Sequence, residues 1–458
     1  MKITKSCGQT PTEHYLAQLC ENTFLKIWSY PNPYKSDGKE LCDLIVIFEN
    51  HVFVFFDRES KKFDNSAKEI ELTWQRWKKE VIDKQASTAL GAERYLISVK
   101  GDIYLDDKCQ NKIPIELPKN GVIVHKIIVA HGAESACKLH SANNVYGSLG
   151  MIYSDSNNLD QMIMPFVVNQ RIQDKIHIFD SCNLPIILNE LDTVSDFTDY
   201  IIEKERVFQN MKFMTYSGEE DLLAQYLINF DDNTNKHYII ENNEIDGLII
   251  PEGTWQTYIQ SESCKAKIKA NEVSYLWDSL IQHVGEHALN GRLTGNANIF
   301  STKNPIHEMA KEPRTMRRTI SNRLHHAFNN FPDNIRDNDL TRYVSFVGSS
   351  EQNKAYVILQ LATADKIPDY IDYTNLRKNM LEIACGAAKN RFNTLALIIG
   401  IAMDAPKHRK EGPEDFILFE CSEWDEDIKN EYLNLNTHFN FFAETTKINH
   451  ETIFEYPI

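Results

Sequence analysis

The chain has no Cys-x-x-Cys pair, and its nine cysteines are scattered. That excludes a thiolate zinc site and a disulfide framework, and reduced thiols serving mostly as small core residues are expected. No run of about 18 apolar residues offers a membrane span. The N-terminal "MKITKSCGQTPTEHYL" also lacks the apolar core of a signal peptide, so a cytoplasmic protein is expected. Positive charge is scarce: 49 Lys and Arg against 65 Asp and Glu give a formal charge of −16. A broad basic coat for nucleic acid is therefore excluded, while a local basic groove is not. Repeats at solenoid period and low-complexity tracts are absent too.

What is present is an ordinary globular composition, 42% hydrophobic and 25% charged over 458 residues, with room for about three domains. In "TPTEHYLAQLCENTFL" Thr12 is a plausible helix start, and Tyr15, Leu16, Leu19 and Leu25 repeat at a broadly helical spacing. The stretch "YPNPYKSDGKE" reads as a loop. Leu44 to Phe48 and Val52 to Phe56 are nearly unbroken β-rich apolar runs separated by Glu49-Asn50-His51, the pattern of a hairpin covered on both faces. "LTWQRWKKEVIDKQASTALGAERYL" predicts a long amphipathic helix with Trp74, Trp77, Val81, Ala89 and Tyr95 toward the core. "NGVIVHKIIVAHG" predicts a further strand, which completes an α/β unit over residues 1–134.

Beyond it, a mixed α/β middle region is expected over 135–240, with a strand at "KIHIFD" and helical sequence after it, broken near Asp192-Thr193 where a new cap can form. Asp192, Asp196 and Asp199 there read as cap and first-turn charges. Residues 241–347 read as mostly helical and carry a basic segment, and 348–458 as a second small α/β unit. The fold class expected overall is α/β.

The hairpin raises the chemical question. With its turn centred on Asn50, Asp43 falls across from Asp57, and two adjacent acids at the end of a buried sheet repel unless a cation or water lies between them. Strand alternation puts Asp57, Glu59 and Lys61 on one face and Arg58 on the other. Carboxylates of this kind can hold Mg²⁺ or Mn²⁺, which activates water and neutralises phosphate oxygens, and a Lys beside them can orient the water.

A helix acid at Glu13, Asp43 on the first hairpin strand and Asp57-Arg58-Glu59-Ser60-Lys61 on the second resemble the PD-(D/E)XK nuclease superfamily, the restriction-endonuclease-like fold, over the first quarter of the chain. The resemblance implies a Mg²⁺-dependent nuclease acting on DNA, in bacterial defence or genome maintenance. It implies Glu13, Asp43, Asp57 and Glu59 as metal ligands, Lys61 as the water-orienting group and Glu40 as a reserve ligand. Gln85, beside Lys84 on the following helix, would reach a phosphate.

The letters leave the register open. Acid and Lys positions at 56 and 58 would be Phe56 and Arg58, a degenerate site; at 57 and 59 they would be two acids, and at 59 and 61 a complete Glu-x-Lys. The degenerate register implies a binding or scaffold subunit, the alternative function. A partner protein is compatible with either.

Two more motifs carry chemistry. Lys311, Arg314, Arg317, Arg318, Arg323, His325 and His326 form a basic segment in which 314, 317 and 318 share a helical face, a candidate stripe for phosphates or a set of internal ion pairs. "HVGEH" from His283 to His287 matches His-x-x-Glu-His, a zinc-peptidase pattern, but Gly285 interrupts the helix and no third ligand stands out downstream.

Overall fold

The computed structural model describes residues 2–457 apart from 60–62, 64–68, 99–101, 119–120, 142–143, 156–163, 232–233, 242–244, 293–297, 336–339, 364–369, 409–413 and 446–452. The chain is mixed α/β and divides into two compact units, Met1–Lys265 with Gly285–Thr294, and Ala266–Val284 with Gly295–Ile458. No helix among the described residues is long and apolar enough to cross a membrane.

In the first unit, α1 (Pro11–Trp28) leads into β1 (Ser29–Pro31), β2 (Leu44–Phe48) and β3 (His51–Glu59). The helical stretch that follows is α2 (Ile70–Lys78) and α3 (Lys84–Ser98), joined by a π-helical turn at Lys79–Asp83, and it ends before β4 (Ile123–His131). Then come α4 (Glu134–His140), β5 (Gly150–Ser154), β6 (Val167–Arg171), β7 (Ile176–Asp180), α5 (Asn183–Glu190), α6 (Val194–Asn210), β8 (Phe213–Tyr216) and α7 (Glu219–Ile228). A two-residue ladder of β9 (Phe230–Asp231) and β10 (Lys236–His237) precedes β11 (Gly247–Ile250) and α8 (Thr254–Gln260).

The main sheet has the order β1-β2-β3-β4-β7, antiparallel up to β3 and parallel from β3 to β7. A second sheet, β11-β8-β5-β6, completes the unit. Residues 1–134 and 135–240, expected as separate segments, therefore fold together, because β7 extends the first sheet by parallel pairing with β4. The break near Asp192 is real: Thr193 caps α6 by accepting from the Asp196 amide.

The hairpin strands are buried along both faces. Ile45, Ile47, Val52, Val54 and Phe56 pack with Ala89, Ala92 and Leu96 of α3, while Phe53 and Phe55 meet Phe24 of α1 on the other face. The register is Leu44↔Phe55 and Phe48↔His51, a two-residue turn with Glu49 at φ 55°. Continuing it places Asp43 across from Phe56, one residue short of the expected partner Asp57.

The second unit contains α11 (Pro305–Ala310), α12 (Arg314–Asn330), β12 (Leu340–Gly348), β13 (Lys354–Thr363), α13 (Tyr370–Arg391), β14 (Leu397–Asp404), β15 (Asp415–Glu420) and α14 (Glu426–Asn436). Its sheet runs β12-β13-β14-β15 with only the central pair parallel. Between the units in sequence, α9 (Glu262–Asn271) and α10 (Tyr275–Leu289) include residues of both. The four-segment division thus reduces to two units, since the helices before β12 cluster with the C-terminal sheet.

Candidate active site

The site is built at the carboxyl ends of β3 and β4, where parallel strands of α/β proteins commonly present chemistry. Pleating directs Phe53, Phe55 and Asp57 to the α1 face and Val54, Phe56 and Arg58 to the α3 face. Asp57 is buried, and both its oxygens are engaged: Thr12 Oγ1 donates to one at 2.6 Å and His131 Nε2 lies 2.8 Å from the other. Thr12 is available because the cap of α1 is Thr10, with Pro11 opening the helix, so the expected start at Thr12 moves two residues back.

Asp43 sits just before β2. Its main-chain N–H donates to Phe55 O, and its carboxylate accepts the main-chain N–H of Asp57 at 2.6 Å. Burial pushes the Asp43 pKa up to about 8, against the bond from Asp57 and with Glu13, Glu40 and Asp57 adding like charge. Among the described residues no cationic side chain is paired with it.

Glu13, in the first turn of α1, accepts from Gln9 N and Thr10 Oγ1 in a variant of the capping box, which alone would account for it structurally. It also shares the Asn32 amide with Glu40, 2.9 Å to each carboxylate. Burial and the charge of Glu13 raise the Glu40 pKa, although the Asn32 bond opposes them. Helix acid, reserve acid and both hairpin acids thus meet at one corner of the sheet. Their oxygens stay spread: among the described residues no three of these acids bring ligand atoms within 4.8 Å of one another. The Asn32 N–H₂ lies between Glu13 and Glu40, a neutral donor in the position a cation would take.

Glu59 does not join them. It is exposed at the end of β3, and no cluster of ligand atoms among the described residues includes it, so its place in the metal set is withdrawn. Arg58 is exposed on the opposite face, close enough to Glu80 to act on its charge. Lys61 and Ser60 lie outside the described residues. Gln85, partly buried, falls on the sheet-facing stripe of α3, four residues before Ala89, and Lys84 is tied to Glu80 at 2.6 Å.

The sequence reading missed four partners: Asn32, His131, Ser181 and Asp180. His131 ends β4 and bridges Asp57 to Ser181 Oγ, 2.7 Å from its Nδ1. Burial opposes charge on His131, but Asp57, with Glu134 and Asp180 beyond, raises its pKa overall. Asp180, at the end of β7, accepts from the amides of Leu149, Cys182 and Asn183 and closes the turn into α5. Polar residues that end an apolar strand run just before a helix, as in "VAHG" and "IFDSCN", were the available signal.

The basic stripe is corrected. Arg314, Arg317 and Arg318 are buried within the second unit: Arg314 and Arg317 each contact Asp278 at 2.5 Å, and Arg318 reaches Asn271 and the carbonyls of Phe454 and Glu455. They are internal pairs, not phosphate contacts. In "HVGEH" the helix runs through Gly285, but Glu286 is bonded to Lys26 at 2.7 Å, and no third ligand is gathered there among the described residues. Among the described residues the zinc-peptidase reading thus gains no third ligand.

Comparisons with protein-family models, curated proteins and solved structures find no match.

Proposed function

We propose that the first unit is a nuclease domain that hydrolyses DNA phosphodiester bonds with Mg²⁺ or Mn²⁺. One observation carries the reading: Glu13, Glu40, Asp43 and Asp57 arrive from a helix, a loop and two strands at one corner, where burial first, and then the like charge of Glu13, Glu40 and Asp57, pushes the Asp43 pKa up to about 8. A divalent cation relieves that charge, whereas a corner designed only for packing gains nothing from collecting it.

The donor set suits a hard cation, being all oxygen. Asp43 and Asp57 would hold it, with Glu13 and Glu40 available once the Asn32 amide gives way. The cation supplies activated water and charge neutralisation at the phosphate. Thr12 and His131 orient the Asp57 carboxylate, and the Asp57 amide orients Asp43.

One observation favours a second reading. The Asn32 amide already satisfies Glu13 and Glu40, which suits a degenerate nuclease fold that serves as a binding subunit. Incubation of supercoiled plasmid with Mg²⁺ or Mn²⁺ separates them: cleavage lost in Asp43→Asn supports the nuclease, and equal inactivity of both proteins, with no cation binding, supports the scaffold.

A further inference from the structure

At the opposite end of the same sheet, near where β4 and β7 begin, stands a second cluster that the nuclease reading does not use. His125 on β4 and His177 on β7 project to the face covered by α6, and Glu205 of α6 meets them. All three are buried, and their ligand atoms lie within 4.8 Å of one another. We propose that His125, His177 and Glu205 form a binding site for one divalent transition-metal ion, Zn²⁺ by preference, separate from the carboxylate corner.

The spacing fits. Zinc bonded at about 2.0–2.1 Å to imidazole and carboxylate sets neighbouring ligand atoms roughly 3.4 Å apart in a tetrahedron. His125 Nδ1 and His177 Nε2 lie 2.8 and 3.3 Å from the same Glu205 oxygen, so a small outward shift of His125 admits the ion. Two imidazoles and one carboxylate favour a borderline metal over Mg²⁺, and three protein ligands leave the fourth position to water.

The surroundings fit as well. His125 Nε2 faces His51 Nδ1 at 2.9 Å, the outer-nitrogen contact that fixes the tautomer of a ligating histidine. The stack of His125 on Phe53, centroids 4.7 Å apart, holds the ring plane. His177 turns Nε2 to Glu205, while its other ring nitrogen, Nδ1, is buried with no hydrogen-bond partner among the described residues. Lys175 holds the second Glu205 oxygen at 3.1 Å, and, one third exposed, its ammonium can turn to solvent when a cation arrives.

The test uses the full-length, untagged protein. Zn²⁺ content is measured by plasma mass spectrometry after dialysis, and Co²⁺ titration is followed by visible ligand-field absorption. The expected result is about one equivalent per chain, with tetrahedral Co²⁺ bands. Glu205→Gln should keep both imidazole contacts yet weaken Zn²⁺ at least tenfold. His177→Ala should abolish the bands, and if it does not fold, Glu205→Gln still decides. Asp43→Asn should leave this binding unchanged, which separates the site from the nuclease corner. A folded wild-type chain that takes up no Zn²⁺ and gives no Co²⁺ bands overturns the proposal and leaves a hydrogen-bonded His-Glu network.

Discussion

The main-chain N–H of Asp57 donates to the Asp43 carboxylate at 2.6 Å, so the two acids are joined through backbone and not carboxylate to carboxylate. Asparagine at position 43 can accept the same bond while losing the charge. Asp43→Asn is therefore expected to fold as the parent does and to lower Mg²⁺-dependent DNA cleavage by more than about a hundredfold, the upper range for disturbing a metal site. Plasmid nicking beside a circular-dichroism melt checks both halves, and a variant that cuts as fast as the parent would remove Asp43 from the site.

Stability should depend on pH through the same group. Burial first, and then Glu13, Glu40 and Asp57, raise the Asp43 pKa from 3.8 to about 8. A raised acid stabilises the fold fully below its unfolded pKa and loses that contribution as pH climbs through the folded value. Burial likewise raises Glu220 to about 8 and Asp180 to about 6, in the same direction. In EDTA the urea midpoint is expected to fall between about pH 4 and about pH 8. Asp43→Asn should flatten part of that slope, and Mg²⁺ should restore stability at the alkaline end of the parent curve. A slope identical in the parent and Asp43→Asn would contradict this assignment.

Arg317 should matter for folding and not for DNA. Its guanidinium meets Asp278 and donates to the carbonyls of Ala310 and Glu312 inside the second unit. Removing one partner of a buried pair strands the other, so Arg317→Ala is expected to cost about 3–5 kcal/mol. Urea denaturation measures it, and binding of labelled duplex DNA by the folded fraction should be unchanged.

Glu59 provides the opposite control. Exposed at the end of β3, it should tolerate Glu59→Ala within about 0.5 kcal/mol, as surface sites do, with cleavage intact. A large loss of cleavage would return Glu59 to the metal set.

Thr12 and His131 explain why sequence reading found part of this corner. Glu13, Asp43 and Asp57 were visible because each follows a local signal: a helix start, the head of an apolar strand and the tail of another. His131 carries a comparable strand-end signal in "VAHG" that went unread, whereas Asn32 gave none, because its role depends on Glu13 and Glu40 meeting around it. The same holds for the arginines of α12. Their shared face was evident from helical period, but whether that face met solvent or Asp278 was not.

Periodicity and capping chemistry, which need only neighbours a few residues away, were enough to determine the hairpin, the helix that follows Thr193 and the α/β character of residues 348–458, but not β12, which lies in a stretch expected to be mostly helical. Tertiary structure alone decided the one-residue register that turns Asp43 toward an amide, the parallel addition of β7 and the assembly of His125, His177 and Glu205. The physical reason is that register and convergence are set by side-chain packing between distant segments, where a shift of one residue exchanges the two faces of a strand and local sequence carries no record of the choice.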